Sequence, residues 1–481
     1  MATRRRTVAC LGIAGGVLFA SPARAAAEER DPLADLHVAG GLTSDEVAER
    51  AAASSVEARL KARSVDVADA RRSGIEAGYW PRLTGIARYT RLSPLPPAEL
   101  ADPRVAIVGR IGPPGPVLPG DALQAFTFPA LIVPVNQYLT QASLVVPLSD
   151  YVLRVSRGLA AATRSVRAAR VEEQAARLAA AAEARLVYYQ WIRAQAQTLI
   201  ATRAREQAVD HAGDARHLFD AGVATRADLL RADVQVKAAE LLVVRAENLT
   251  ALAEERLRVS MHDPGAGAYR VGEDVLAPLP APAASDTPAQ LFDEALANRL
   301  ELKALVETIG AAHGLGAVAR AGHWPRLELF ADGVYANPNP RVFPAQERFD
   351  RTWDVGAQLV WTPTDIAGTQ ASVRERAAQA AELQVQRDAL LDGLRLEVRE
   401  AWQAAREAAV TLEKASQELG AAEEGYRVRR DLFQNGKASL VELNDAQTEL
   451  TRARLDTVNA HIDARIARVR LTHATGRDAR P

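Results

Sequence analysis

The spacing of apolar positions predicts strands in four places along the chain. Between 353 and 361 every second residue is apolar, a period typical of a strand with one apolar and one mostly polar face. The apolar positions there are Trp353, Val355, Ala357, Leu359 and Trp361. Similar segments lie at 83–91, 137–146 and 326–335. Tryptophan at both ends of one apolar face is typical of the aromatic girdles of membrane barrels, although strands of soluble sheets share the alternation. We therefore take Trp353 and Trp361 as candidate girdle residues.

Elsewhere the spacing predicts very long helices. Neither Gly nor Pro occurs in 159–212, 223–263 or 437–475. As single helices these runs would be roughly 80, 60 and 58 Å long. Apolar residues in the last run keep the near-heptad spacing of a coiled coil. They are Leu440, Leu443, Leu450, Leu455, Val458, Ile462, Ile466 and Val469.

The second half of the chain repeats the first. Trp80-Pro81-Arg82-Leu83 returns as Trp324-Pro325-Arg326-Leu327, and six of sixteen residues are identical between 216–231 and 430–445. A repeat of this length predicts one structural unit used twice. Each half is expected to read helix, strand, loop, strand, long helix, turn, long helix.

These signals divide the chain as follows. A first repeat covers 26–263, with a strand hairpin at 83–147 and a long helical hairpin at 150–263. A linker or equatorial segment follows at 264–286. A second repeat covers 287–476, with a strand hairpin at 326–362 and a helical hairpin at 366–475, and a tail covers 477–481.

The two helical hairpins are expected to turn at equivalent glycines. Gly222 and Gly436 each end a helical run, which is a C-cap signal. Thr225 and Ser439 then suit the N-cap of the following helix. Capping alone would explain these residue types.

Residues 1–25 have the features of a secretory signal peptide. Arg4, Arg5 and Arg6 precede a short apolar run, and Ala23-Arg24-Ala25 fits a cleavage site. The single cysteine, Cys10, lies inside this segment, so the mature chain would have no thiol and the sequence argues against a lipid anchor.

Composition and motifs give no support for nucleic-acid binding, metal binding or catalysis. The net charge of −1 gives no reason to expect nucleic acid. The histidines lack metal-chelating spacing, and no nucleotide, HExxH or GxSxG motif occurs. We therefore expect no cofactor, no metal site and no catalytic residue.

Four strands cannot close a barrel, and an open sheet edge is not tolerated in lipid. If the strands lie in a membrane, several chains must share one barrel, and three chains would give twelve strands. The long loop at 92–136, rich in Pro and Gly, would suit the outside of such a barrel.

The chain resembles the outer membrane efflux protein family, the TolC-like channels. The resemblance rests on the duplicated Trp-Pro-Arg-Leu, on the Gly-x-x-Ser/Thr turns, and on Gly436-Lys-Ala-Ser-Leu-Val-Glu-Leu-Asn-Asp-Ala-Gln447. Two segments that lead from strand to helix also match, Val146-Pro-Leu-Ser-Asp150 and Trp361-Thr-Pro-Thr-Asp365. The missing lipobox cysteine and the longer loop at 92–136 depart from many members.

The resemblance implies an α+β membrane protein in the Gram-negative outer membrane, internally duplicated. It implies a homotrimer with a transmembrane β-barrel shared between protomers and a long α-helical coiled-coil barrel in the periplasm. It further implies an exit duct for a tripartite efflux or type I secretion system, with a periplasmic adaptor and an inner-membrane pump. Selectivity would lie mostly in the pump, so the sequence does not identify the cargo.

The resemblance also assigns candidate site residues. Adaptor-contacting helix tips would be Gly222, Thr225, Leu229, Gly436, Ser439 and Leu443. Helices would lead into strands at Trp80, Pro81, Trp324 and Pro325, and strands into helices at Pro147, Asp150, Pro363 and Asp365. Glu442 and Asp445, with Asp228 from the first repeat, would form an acidic ring near the lumen entrance that favours cations. The alternative for these acids is a solvated helix face.

Two other functions stay open on sequence alone. An exported periplasmic or surface coiled-coil scaffold would explain the helices and the signal, but not two strand hairpins placed alike in both halves. An exported hydrolase with helical decoration would need a nucleophile and base, and no such constellation is recognisable.

Overall fold

The computed structural model describes residues 36–93, 107–110, 123–126, 134–265, 267–279, 287–343 and 345–479. The signal-peptide prediction and most of the loop at 92–136 lie outside these residues. Nearly all of the described chain belongs to a small sheet or to long helices.

The first half begins with β1 (His37–Leu42), α1 (Ser44–Ser54) and α2 (Val56–Glu76). Strands β2 (Arg82–Arg91) and β5 (Asn136–Val146) follow, with the short pair β3 (Ile107–Arg110) and β4 (Leu123–Phe126) between them. The short helix α3 (Leu148–Asp150) leads through a π-helical turn into α4 (Ser156–Asp220), and α5 (Arg226–Met261) completes the half.

The second half repeats this order. It consists of α6 (Pro288–Asn298), α7 (Leu300–Arg320), β6 (Arg326–Asn337), β7 (Asp350–Val360), α8 (Ile366–Gln434) and α9 (Leu440–Ala474). Helices α1 and α6 each have 11 residues, and α2 and α7 each have 21. A 3-10 turn precedes each Trp-Pro, so that the Trp80 amide donates to Ala77 and the Trp324 amide to Ala321. The duplication read from the sequence is therefore a duplication of structure.

Helix α4 has 65 residues and α8 has 69, so each is about 100 Å long. Helix α4 is longer than the Gly-free run at 159–212 suggested, because Gly213 is accommodated inside it, and α8 likewise accommodates Gly420. Neither glycine would place a Cβ within 4 Å of another group. The single helix expected before the strands of the first half is two helices, α1 and α2, since Ser55 ends the first and caps the second.

The four long strands form one antiparallel sheet in the order β2-β5-β6-β7. Leu83 lies opposite Leu144, Leu144 opposite Ala331, and Ala331 opposite Val355. The outermost strands, β2 and β7, each have one edge without a partner in the described chain.

Helices α4, α5, α8 and α9 form a second row of four. Helix α4 lies between α5 and α9, and α9 lies between α4 and α8. Like the sheet, the row has two outer members, α5 and α8.

The largest buried core lies midway along the helices, where Tyr188, Trp191 and Ile192 are fully buried. The linker is attached there by Arg465 of α9, which donates to the carbonyl oxygens of Asp274 at 2.9 Å and Ala277 at 3.0 Å. A second core lies near the far end of the hairpins, around Leu440, Leu443 and Leu450.

Candidate functional site: membrane faces and helical tips

One face of the sheet is apolar and exposed. Along each strand, residues of this face alternate with residues of the polar face. Leu83, Val355 and Leu359 on the apolar face are each about two-thirds exposed or more. An isolated soluble protein does not normally leave a continuous apolar surface of this kind uncovered.

Aromatic side chains lie at both ends of this face. Away from the helices the face carries Tyr89, Tyr138, Tyr335 and Trp353, with Tyr89 and Tyr138 in ring contact. At the helical end lie Trp80, Trp324 and Trp361, all more than half exposed. Trp353 and Trp361 are eight positions apart, or about 26 Å at 3.3 Å per residue. At the tilt of about 35–45° found in barrel strands this length gives a height of about 20 Å, close to the apolar band of about 25 Å between the girdles of membrane barrels.

The opposite face of the sheet is mostly polar. The amide of Gln141 donates to Ser143 at 3.1 Å and to Asp332 at 3.2 Å, and Ser143 also donates to Asp332. On the neighbouring strands Gln358 donates to Glu328 at 3.0 Å. The sheet therefore separates an apolar surface from a hydrogen-bonded polar one.

The segments that join strands to helices are held to the sheet. The Ser149 hydroxyl accepts the Leu327 amide at 3.0 Å, which ties the turn beginning at Pro147 to the start of β6. Asp150 forms an ion pair with Arg154, with 3.4 Å between Oδ1 and Nε. In the second half, Pro363 and Asp365 bound a single 3-10 turn before α8. Pro81 and Pro325 each directly precede the first residue of a strand.

The far ends of the two hairpins carry the predicted tips, which we call the first tip (219–225) and the second tip (433–439). Gly222 has a φ of +76° and Gly436 a φ of +67°. The amide of Val223 reaches back to Leu218 at 2.9 Å, and that of Lys437 to Leu432 at 2.8 Å. Both tips therefore end their helices with the same left-handed glycine turn.

Both tips also begin the next helix with a capping box. The Thr225 hydroxyl accepts the Asp228 amide at 3.3 Å, and the Asp228 carboxylate accepts the Thr225 amide at 3.0 Å. Ser439 and Glu442 repeat the arrangement at 3.3 and 2.9 Å. Hydrogen bonds from Thr225 lower the pKa of Asp228, and the backbone and hydroxyl of Ser439 lower that of Glu442.

These contacts change the expectation for the acidic ring. Asp228 and Glu442 use their carboxylates to close helix ends, and Glu442 also lies 3.7 Å from Arg429. Asp445 is exposed on α9. The three acids therefore do not share one environment.

Leu443 differs from the expectation as well. It is fully buried in a core with Phe433, Leu440 and Leu450, so it is unavailable to a partner in this conformation. Its equivalent, Leu229, is half-buried. Near the first tip, Phe219, Val223 and Leu230 are exposed, an apolar surface that the sequence pattern did not single out.

A hydrogen bond between the hairpins also escaped the sequence reading. The ring nitrogen Nε2 of His211 on α4 lies 3.1 Å from the Tyr426 hydroxyl on α8. His211 is buried, and burial lowers its pKa. A lone histidine without chelating spacing gave no signal, because its partner lies 215 positions away.

No described helix has an apolar segment of the length and hydropathy needed to span a bilayer. Among the described residues, no group of three His, Cys, Asp or Glu side chains is arranged to hold a metal ion.

The sequence model of the outer membrane efflux protein family matches residues 134–261 and 291–477. The chain belongs to the outer membrane efflux protein family. Efflux channels make up this family, and membership places the protein in the outer membrane of a Gram-negative cell with its helical part in the periplasm. No curated protein sequence is significantly similar to the chain.

Solved structures of outer-membrane proteins share the fold. The CmeC channel of Campylobacter jejuni aligns with a TM-score of 0.69 at 15% identity, covering 91% of this chain and 88% of CmeC. VceC of Vibrio cholerae gives 0.65 at 16%, covering 90% and 96%. The open state of the MtrE channel of Neisseria gonorrhoeae gives 0.68 at 15%, covering 90% and 88%.

Proposed function

We propose that three copies of this chain assemble into one export duct, with a shared β-barrel in the outer membrane and a helical tunnel in the periplasm. The observation that carries the proposal is that, in the part of the chain that the structure describes, the sheet and the row of long helices each have two open edges. The sheet ends at β2 and β7, and the helical row ends at α5 and α8.

The edges of the sheet are suited to join copies of the chain. Because the four strands alternate in direction, β7 of one copy would run antiparallel to β2 of the next, which continues the existing pattern. Lipid does not tolerate unpaired backbone groups, so the apolar face requires a closed ring. The number three follows from the family resemblance.

Both outer helices carry exposed apolar residues on one side, interspersed with polar ones, which we call the stripe of each helix. On α8, Val385, Leu396, Val410, Val428 and Leu432 are exposed. At about 100° per residue all five lie within an arc of about 40°. On α5, Leu230, Val234, Leu241 and Val244 form a similar stripe. The stripe on α5 would lie against the part of the α8 stripe nearest the tips, Val428 and Leu432, of a neighbouring copy.

Further contacts and the direction of transport belong to the same proposal. The first tip would present Thr225, Leu229 and an exposed apolar surface to a periplasmic adaptor. The second tip would present Gly436 and Ser439 to the same adaptor. The adaptor would bridge to an inner-membrane pump that supplies energy, and Asp445 from each copy would line the tunnel entrance.

The test is the mass and location of the mature protein after mild detergent extraction of cell envelopes. A complex of three chains in the outer-membrane fraction is expected. A soluble monomer or dimer in the periplasm would refute the barrel and favour the scaffold alternative.

A matched pair of variants tests the helical edge. Val410 on the α8 stripe and Val209 on α4 are 53% and 51% exposed. Val410→Asp should reduce the three-chain complex severalfold, because a carboxylate would be buried between copies, whereas Val209→Asp should leave it intact. Equal assembly of both variants would remove α8 from the interface.

A further inference from the structure

Only two residues on the apolar face of the four long strands are charged, and both are arginines. They are Arg91, the last residue of β2, and Arg351, the second residue of β7. The other positions of this face in β2, β5, β6 and β7 hold apolar, aromatic or uncharged polar residues. The opposite face carries both signs of charge, as at Arg88 and Asp332. The apolar face therefore has a positively charged margin without an acidic residue beside it on these strands.

The two arginines lie just beyond the outer aromatic residues. Arg91 follows Tyr89 by two positions, and Arg351 precedes Trp353 by two, so each lies about 7 Å farther from the helices along its strand. In membrane barrels such aromatic residues lie at the level of the lipid headgroups. A lipid-facing charge is tolerated there, unlike at the centre of the bilayer. In the proposed barrel both guanidinium groups would therefore lie among the headgroups of the outer leaflet.

Neither guanidinium group is neutralised within the part of the chain that the structure describes. Both arginines are exposed, and neither forms an ion pair with a described carboxylate. Nearby, Arg348 is paired with Asp350 at 3.0 Å, so an available acid does form such a pair at this end of the sheet. The guanidinium of Arg351 lies 5.8 Å from the centre of the Tyr335 ring, a contact that positions it and leaves its N–H donors available.

The internal repeat predicts how strands of neighbouring copies would be aligned. Arg82 of β2 lies opposite Val145 of β5, and Arg326 of β6 lies opposite Val360 of β7. Positions in β6 are therefore 244 beyond their equivalents in β2 (326 against 82), and positions in β7 are 215 beyond theirs in β5 (360 against 145). If the junction between copies repeats the junction of β5 with β6, β7 pairs with β2 of the next copy in one register.

That register brings Arg91 of one copy towards Arg351 of its neighbour. Where β5 meets β6, Thr140 lies opposite Tyr335. The equivalent residues are Val355 and Arg91, so Arg91 would lie opposite Val355 of the neighbouring copy. Arg351 of that neighbour is four positions away along the strand, or about 13 Å. Both residues are on the lipid-facing side, so their long side chains can approach the same headgroup from two directions.

We propose that Arg351 of one copy and Arg91 of the next bind the phosphorylated headgroup of an outer-leaflet lipid. Guanidinium groups hold phosphate oxygens through paired N–H donors, and the acyl chains would lie against the apolar face at residues such as Trp353 and Val355. The site rests on the proposed barrel, because only a junction between lipid-facing sheets brings the two arginines together. Three copies would form three equivalent sites.

Native mass spectrometry of the full-length mature protein tests the site. The protein is purified in an uncharged maltoside detergent, stripped of lipid, and titrated with diphosphoryl lipid A. Up to three lipids should be retained on each three-chain complex, and an analogue with the same acyl chains but no phosphate should be lost. Equal retention of the two lipids would overturn the proposal. The protein mass reports assembly in the same spectrum: a three-chain complex that retains no lipid refutes the lipid site alone, whereas a single chain refutes the shared barrel as well.

Glutamine variants test the two arginines separately. Arg351→Gln and Arg91→Gln should each raise the lipid concentration for half-occupancy about fivefold, and the double variant roughly 25-fold. Arg88→Gln is the matched control, because Arg88 is exposed on the same strand as Arg91 but on the opposite face, and it should bind lipid like the parent protein. Unchanged binding by the double variant, or an equal loss in Arg88→Gln, would contradict the site.

Inorganic phosphate distinguishes a lipid from a free anion. Sodium phosphate should displace no more lipid A than sodium chloride of equal ionic strength, because it lacks acyl chains to contact the apolar face. Displacement by phosphate beyond that of chloride would assign the arginines to a free anion and would overturn the proposal.

Discussion

The first and second tips have the same backbone but different surroundings. Both use a left-handed glycine followed by a capping box. At the second tip Phe433 and Leu440 are buried, whereas at the first tip Phe219 and Leu230 are exposed. Local sequence thus determines how the chain turns, and the neighbouring helices determine whether that turn is part of a core or a surface. The first tip therefore leaves apolar side chains exposed, and the second contributes side chains to the core around Leu443.

The largest expected contrast comes from truncating the equivalent leucines. Leu443→Ala should destabilise the end of the second hairpin by about 2–5 kcal/mol, because a fully buried side chain leaves a cavity. Leu229→Ala should cost less than about 1.5 kcal/mol, because that leucine is already half exposed. Hydrogen exchange of the early turns of α9 and α5 measures both effects. Similar losses of protection would show that the tips have equal packing.

Substituting either tip glycine should lower stability by a smaller amount, which is the same at both tips. Gly222→Val and Gly436→Val would meet no atom within 4 Å, so their cost is conformational and about 1–2 kcal/mol each. Export per molecule in the outer membrane should fall, while the amount inserted stays close to normal. Gly213→Val is the matched control, since it also has free space but lies within a helix. Unchanged export by both tip variants would remove these turns from the mechanism.

Removal of the N-cap hydroxyl should have the most similar effect at the two tips. Thr225→Ala and Ser439→Ala should each weaken the following helix by about 1 kcal/mol, since each removes the acceptor for an orphan amide. Thr225→Ser should restore protection of the first turn of α5 in hydrogen exchange. A much larger loss at Ser439 would indicate that packing and capping are coupled there.

Acid should loosen the contact between α4 and α8 at His211 and Tyr426. The lowered pKa of buried His211 means that the unfolded state binds its proton more readily, so stability is complete above about 6.5 and declines as the pH falls below that value. Asp210 and Asp214 on α4 oppose this shift, and Arg430 on α8 adds to it.

Hydrogen exchange at pH 7.5 and 5.5 checks this expectation around Tyr426 and the first tip. His211→Phe should abolish the difference, whereas His217→Phe, at an exposed position, should not. Acid sensitivity that survives in His211→Phe would assign the effect to another group.

The sequence predicted those elements whose signals are local. Period-two alternation located all four long strands within about three residues, and the near-heptad spacing identified the core positions of α9. Contacts between distant segments gave no such signal. The parallel bridges of His37 and Leu42 to Val271, and the bond between His211 and Tyr426, join residues whose proximity only the tertiary fold creates.

The site shows the same division. The glycines and caps were predictable because each is a property of a few adjacent residues. The different roles of Leu229 and Leu443 were not, because the same residue type at the same offset meets different neighbours. The engagement of Glu442 in a cap was also missed, although Ser439 three positions before it is a capping-box signal.

Because the sheet has two open edges, assembly of the duct would depend on how many newly exported copies of the chain are present. Within the described residues of a single copy, the 10-residue β2 and the 11-residue β7 each have an unpaired side, which is a template for unwanted pairing in the aqueous periplasm. Those sides are satisfied only when copies meet, so maturation would depend steeply on the local concentration of newly exported chain. A cell making few copies would then lose a disproportionate share to proteolysis, and expression level itself would set the number of finished ducts.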